Sequence, residues 1–157
     1  MYPPIESRAP SFSAPDANGN MIVLARYHGK SIVVLYFYPK DNTSGCTKEA
    51  CGFRDAQDAL KRAGVVVIGV SPDSVASHQK FAAKHELPFP LIADRDRHIC
   101  QAYGVWQEKS MYGKKHMGVA RTTFIIDKRG KIAHVFEKVK PLGHEQAVME
   151  WIKTNLK

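Results

Sequence analysis

The chain has 157 residues, an apolar fraction of 44% and a formal net charge of +8. This length suits one domain with its own core, here residues 1–157, and this composition excludes global disorder. No apolar run approaches the ~18 residues of a membrane span, and Met1 to Glu6 has no basic start leading into an apolar stretch, so a cytoplasmic chain without a secretory signal is expected.

In chain order, Ser11-Phe12-Ser13-Ala14 and Met21-Ile22-Val23-Leu24 flank Asp16-Ala17-Asn18-Gly19, and the Asn-Gly pair predicts a hairpin. Ile32 to Tyr38 is a β-branched and aromatic run of the kind buried on both faces of a sheet, and Pro39 ends it. From Cys46 to Arg62, Phe53, Ala56, Leu60 and Ala63 recur at helical spacing until Gly64 stops the helix. Val65 to Val70 reads as a second buried strand. Ser74 can cap a helix running to about His85. Phe89 to Ala93 predicts a third strand, and a short helix follows near Ile99 to Tyr103. Ser110 to Val119 is expected to be a loop and has no readable pattern. Thr122 to Ile126 and Ile132 to Phe136 are strands joined by the turn-like Asp127-Lys128-Arg129-Gly130. A last amphipathic helix carries Ala147, Val148, Trp151, Ile152 and Leu156. Alternating strands and helices followed by a hairpin-linked pair predict an α/β fold. That order is compatible with a thioredoxin-like architecture, with a mixed central sheet, helices on both faces and an N-terminal hairpin.

The stretch from Phe37 to Cys51 carries the chemistry. A buried strand ends, a polar loop follows, and a helix begins at or near Cys46, which is where ligands sit in α/β sheets. Cys46 is the candidate nucleophile. The free N–H groups of a helix start and a nearby arginine both favour the reactive thiolate. Thr43 can turn its hydroxyl to the same pocket, and Pro39 shapes the loop without offering an N–H.

These residues resemble a known family. Pro39, Thr43 and Cys46 match the PxxxTxxC signature of peroxiredoxins. Phe37-Tyr38-Pro39-Lys40, Gly45-Cys46-Thr47, Ala50-Cys51-Gly52-Phe53-Arg54-Asp55, Tyr103-Gly104-Val105-Trp106 and Arg121-Thr122-Thr123-Phe124-Ile125-Ile126-Asp127 look like its bacterioferritin comigratory protein (Q-type) subfamily. The resemblance implies a thiol peroxidase in which Cys46 is peroxidatic and Cys51 resolving, with Pro39, Thr43 and Arg121 in the pocket and Glu49 orienting the arginine. It also implies a hydroperoxide substrate, recycling by thioredoxin or a similar dithiol, no bound cofactor or metal, and a monomer. Ser44 departs from the subfamily, many of whose members have proline there.

Spacing adds a constraint. Five residues of α-helix separate two Cα atoms by roughly 8.6 Å. A disulfide needs about 7 Å or less. A Cys46–Cys51 bond therefore requires the start of the helix to unwind. Cys100, Tyr103 and Trp106 read as core residues, Cys100 also being an alternative resolving thiol. The histidines do not pair with the cysteines at metal-site spacing. Other functions stay open: a redox sensor or regulatory binding protein switched by Cys46–Cys51 oxidation, or a thioredoxin-type oxidoreductase, although Thr43 stands where CxxC would put its first cysteine. The basic residues are scattered, most densely from Lys109 to Arg121, without the aromatic platforms of a single-strand binder, so neither nucleic acid nor membrane is an expected partner.

Overall fold

Ile32–Phe37, apolar at every position, is the middle strand of the main sheet and is buried throughout. It belongs to a computed structural model that describes residues 1–156, the side chain of Met111 excepted. In chain order the elements are β1 (Ser13–Pro15), β2 (Met21–Val23), a 3-10 turn (Leu24–Tyr27), β3 (Ile32–Phe37), α1 (Ser44–Asp55), α2 (Gln57–Arg62), β4 (Val65–Ser71) and α3 (Val75–His85). There follow β5 (Leu91–Ala93), α4 (His98–Ala102), β6 (Trp106–Met111), β7 (Lys114–Val119), β8 (Thr122–Ile126), β9 (Ile132–Phe136) and α5 (His144–Asn155).

The main sheet has the order β5-β4-β3-β8-β9. β3, β4 and β5 run parallel, and β8 and β9 are antiparallel additions, so the sheet is mixed. Side chains alternate along a strand, and β3 divides its residues between two cores. Val33, Leu35 and Phe37 enter one layer with Cys100, Tyr103, Phe124 and the β1–β2 hairpin residues Ala14 and Ile22. Val34 and Tyr36, with Tyr38 just past the strand, enter the other with Cys46 and Phe53 of α1, Leu60 of α2, Phe81 of α3, and Val148 and Ile152 of α5. Burying each such side chain contributes about 1.5–3 kcal/mol, which holds helices to both faces. Gly69 lies opposite Tyr36 in the β3–β4 register. A Cβ there would sit 2.9 Å from the Tyr36 hydroxyl, so glycine makes room for the ring.

The predicted helix from Cys46 to Arg62 is two helices. Ala56, at φ −91° and ψ 1°, breaks it. Upstream, α1 buries Cys46, Glu49, Ala50 and Phe53; downstream, α2 buries only Leu60. The bend keeps Leu60 in the layer that Phe53 occupies. The third strand is shorter than predicted because Pro90, which has no N–H for a ladder, stands outside it. Ser110–Val119 is not a loop but most of the β6–β7 hairpin. Its turn places Tyr112 and Gly113 at φ 53° and 78°, the paired positive angles of a tight hairpin. β7 is largely exposed and β6 only half-buried, so alternation of apolar and polar residues was absent. Among the described residues no helix is long and apolar enough to cross a membrane.

Candidate active site

Thr43 is the N-cap of α1, with the extended backbone (φ −84°, ψ 154°) of that position. The N–H groups of Ser44, Gly45 and Cys46 precede the first helical bond, from the Thr47 N–H to the Thr43 carbonyl at 2.9 Å. They carry the positive end of the helix dipole. Cys46 falls in this first turn with only 1% of its surface exposed. Thr43 does not cap with its side chain. Its hydroxyl donates to the Lys40 carbonyl at 3.1 Å, which leaves the oxygen's lone pairs as the group it can offer a ligand. Pro39 sits half-buried at the bend after β3.

Arg121 enters from the segment between β7 and β8. One terminal nitrogen donates to Cys46 Sγ at 3.1 Å and the other to Glu49 Oε1 at 2.7 Å. Cys46 and Glu49 are three apart on α1, so they share a face that one planar guanidinium can span. A Cβ on Gly45 would lie 3.3 Å from the guanidinium and 3.2 Å from Pro141, so glycine at that position leaves Arg121 its approach.

Glu49 is 1% exposed, and its Oε2 has no hydrogen-bond partner among the described residues. Burial raises its carboxyl to about 7, against the opposing pull of Arg121. Arg121 itself is opposed by burial, but Glu49 and the Cys46 sulfur more than offset this and hold it charged. His144, at the start of α5, faces the same region. Burial, aided by Arg121, lowers it to about 4, and its Nε2 meets Thr123 Oγ1 at 2.8 Å. Burial and the Arg121 charge also lower the Lys109 ammonium on β6, while the Cys46 sulfur opposes them.

All three cysteines are free thiols. Cys51 is half-buried, one and a half turns along α1 from Cys46. Cys100 is fully buried in the other core layer, across the sheet from Cys46. Burial, with Asp94 beside it, pushes its thiol far up, as suits an inert core cysteine. Tyr103 is also core, whereas Trp106 is only partly buried, with the Arg97 guanidinium 4.7 Å from its ring centre. The structure thus brings Cys46, Arg121 and Glu49 into direct contact and puts Thr43 and Pro39 on the loop leading to them. His144 and Lys109 were missed from the sequence, because each comes from a distant element and carries no motif.

The AhpC/TSA family model matches residues 5–135. The chain belongs to the AhpC/TSA family. Within it, the chain resembles the Bcp or Q-type peroxiredoxins. It is 51% identical over 145 residues to a putative peroxiredoxin bcp of Coxiella burnetii, covering 92% of this chain and 95% of that one. Against peroxiredoxin Bcp of Escherichia coli the identity is 46% over 145 residues, covering 92% of each. Among solved structures, peroxiredoxin Q of Xanthomonas campestris superposes with a TM-score of 0.88 at 39% identity, covering 93% of this chain and 92% of that one. A cysteine-to-serine mutant of PrxQ from Xylella fastidiosa gives a TM-score of 0.94 at 32% identity, covering 100% and 99%. The thioredoxin-like peroxiredoxin fold expected from the sequence is therefore the fold of this AhpC/TSA member.

Proposed function

We propose that the chain reduces hydroperoxides through a Cys46 sulfenic acid and a Cys46–Cys51 disulfide. The observation that carries this is the Arg121 guanidinium held between Cys46 Sγ and the buried Glu49. The thiolate attacks the distal oxygen of ROOH, an S–O bond forms as the O–O bond breaks, Cys46 keeps the OH as sulfenic acid, and the departing alkoxide takes a proton from water to leave as ROH. Charge developing on the two oxygens meets Arg121 and the unpaired N–H groups of the first turn. Thr43, its hydrogen spent on Lys40, accepts the O–H of the peroxide.

The second step needs α1 to open, since both cysteines lie within the one helix. Its first turn has no side-chain cap, and Phe53, stacked on Tyr36 with ring centres 5.0 Å apart, pins the helix downstream. Unwinding up to that pin lets Cys51 sulfur attack the sulfenic sulfur, and water leaves. An external dithiol, thioredoxin or its like, then restores both thiols by exchange. Because both cysteines belong to one chain, a monomer suffices. A solved relative, the bacterioferritin comigratory protein of Xanthomonas campestris, is described by its alkyl peroxide reduction activity, which favours organic hydroperoxides among the substrates here. The test is a single turnover with one equivalent of peroxide and peptide mass mapping. A Cys46–Cys51 bond with Cys100 still reduced is expected; a bond through Cys100 defeats the scheme.

A further inference from the structure

The loop between β3 and α1 is tied down by a buried polar cluster that the peroxidase chemistry does not use. Asp41 is 4% exposed and His78, on α3, 0%. Asp41 Oδ2 lies 2.7 Å from His78 Nδ1 and accepts the Ser77 hydroxyl at 2.8 Å, while Oδ1 accepts the Tyr38 hydroxyl at 2.7 Å. The Asp41 backbone N–H donates to Asp73 Oδ2 at 2.8 Å, and Ser71 donates to the same oxygen at 2.7 Å. The other nitrogen of His78, Nε2, lies 2.9 Å from the Ile92 carbonyl of β5.

The two ring nitrogens of His78 thus bridge the Asp41 carboxylate and the Ile92 carbonyl, fixing the ring at both ends. The carboxylate has three side-chain donors, and although burial opposes its charge, the bonds from His78, Tyr38 and Ser77 outweigh that and lower Asp41. The cluster joins the loop to β4, α3 and β5 at once. It ends at Asp41. The next residue, Asn42, has a left-handed backbone with φ 63°, and after it come Thr43 and the first turn of α1.

We propose that Asp41 and His78 are positioning residues for peroxide reduction: they clamp the fixed end of the catalytic loop, setting Thr43 and the first turn of α1, with Cys46 in it, against Arg121 and confining the unwinding of α1 to residues beyond Asn42. This rests on the peroxidase function proposed for Cys46. The clamp matters because the helix start must be both well placed when folded and able to open. Anchoring residue 41 on three elements supplies the first without stiffening the second. Small displacements of such groups cost large factors in rate.

Two substitutions at one position separate positioning from filling. His78→Asn keeps a donor near the place of Nδ1, facing Asp41. His78→Gln keeps one near the place of Nε2, facing the Ile92 carbonyl, and loses the clamp. Stopped-flow oxidation of Cys46 by hydrogen peroxide and amide exchange over residues 38–52 are the readouts. Expected are a roughly tenfold slower oxidation in His78→Gln and Asp41→Asn, with protection lost at residues 40–46, and recovery of most of the rate in His78→Asn. Equal rates for His78→Asn and His78→Gln, whether both fast or both slow, overturn the proposal. If the His78 variants do not fold, Tyr38→Phe removes one donor and keeps the ring. A two- to threefold slower oxidation with the same local loss of protection is then expected, and unchanged rate and protection overturn it. Failure of the wild type to react with peroxide would instead remove the peroxidase function itself, a result read before any variant is compared.

Discussion

Cys46 and Cys51 share the unbroken helix α1, one buried against the core and the other half-exposed. In that geometry their Cα atoms are about 8.6 Å apart, beyond disulfide reach. In the proposed scheme oxidation and resolution therefore belong to two conformations of the same segment, and the stability of the helix is expected to set how fast the second follows the first.

Gly52 gives a handle on that balance. Glycine inside a helix costs about 1 kcal/mol relative to alanine. In Gly52→Ala the new Cβ meets the carboxylate of Glu145, the free end of a flexible side chain that can turn away. The variant should hold α1 closed. Disulfide formation after peroxide is expected to slow by about fivefold, with more Cys46 sulfinic acid at high peroxide by mass spectrometry. Unchanged resolution kinetics would show that opening does not limit this step.

Arg121 is held by Glu49 and in turn holds the sulfur. Arg121→Leu is expected to slow Cys46 oxidation by about a hundredfold, the usual scale for losing a preorganised charge donor. Arg121→Lys keeps charge but loses the fork, and should fall between. Glu49→Gln retains an acceptor for Arg121 and should lose about tenfold or less. Stopped-flow rates with matched thermal unfolding curves check this. A loss of rate in Arg121→Leu accompanied by an equal loss of folded protein would assign the arginine to structure alone.

Cys51 and Cys100 make opposite predictions. Cys51→Ser should stop at the sulfenic acid, trapped by dimedone, and lose turnover with thioredoxin. Cys100→Ala removes only a core sulfur, costing about 1–2 kcal/mol of stability with turnover retained. Sustained turnover in Cys51→Ser would move resolution to another thiol, and Cys100 could take that role only if the sheet between the two core layers came apart.

Two buried groups near the site tilt stability with pH in opposite senses. Glu49 is raised from 4.5 to about 7 by burial, so its contribution is complete below about pH 4.5 and is lost as pH rises through 7. His144 is lowered from 6.5 to about 4 by burial and then by Arg121, so its contribution is present above pH 6.5 and lost as pH falls through 4. Urea unfolding between about pH 4 and pH 8 should show Glu49→Gln flattening the alkaline fall and His144→Gln the acid fall, each by a few kcal/mol at most. Curves that stay parallel to the wild type would contradict these assignments.

The sequence made the sheet and the candidate nucleophile legible because both depend on local pattern. Ile32 to Phe37 could only be a strand buried on two faces, and Ser74 was readable as a cap, its hydroxyl accepting from the Ser77 N–H at 3.1 Å. The break at Ala56 was hidden, since Phe53 and Leu60 keep helical spacing across it. The β6–β7 hairpin was hidden because exposed strands need no alternation. Arg121 and Glu49 were named through resemblance, and only three-dimensional structure puts them on one guanidinium. Asp41 lies between Phe37 and Cys51 but had no readable role, because its partner His78 is 37 residues away and nothing local links them.

The most direct test is peroxide consumption by Cys46→Ser, with Cys51 and Cys100 left intact, in an assay coupled to thioredoxin and its reductase. The wild type should turn over many equivalents of peroxide, and the variant should fall to the rate of the assay without protein. Turnover near the wild-type rate in Cys46→Ser would mean that the sulfur beneath Arg121 is not the one that meets the peroxide.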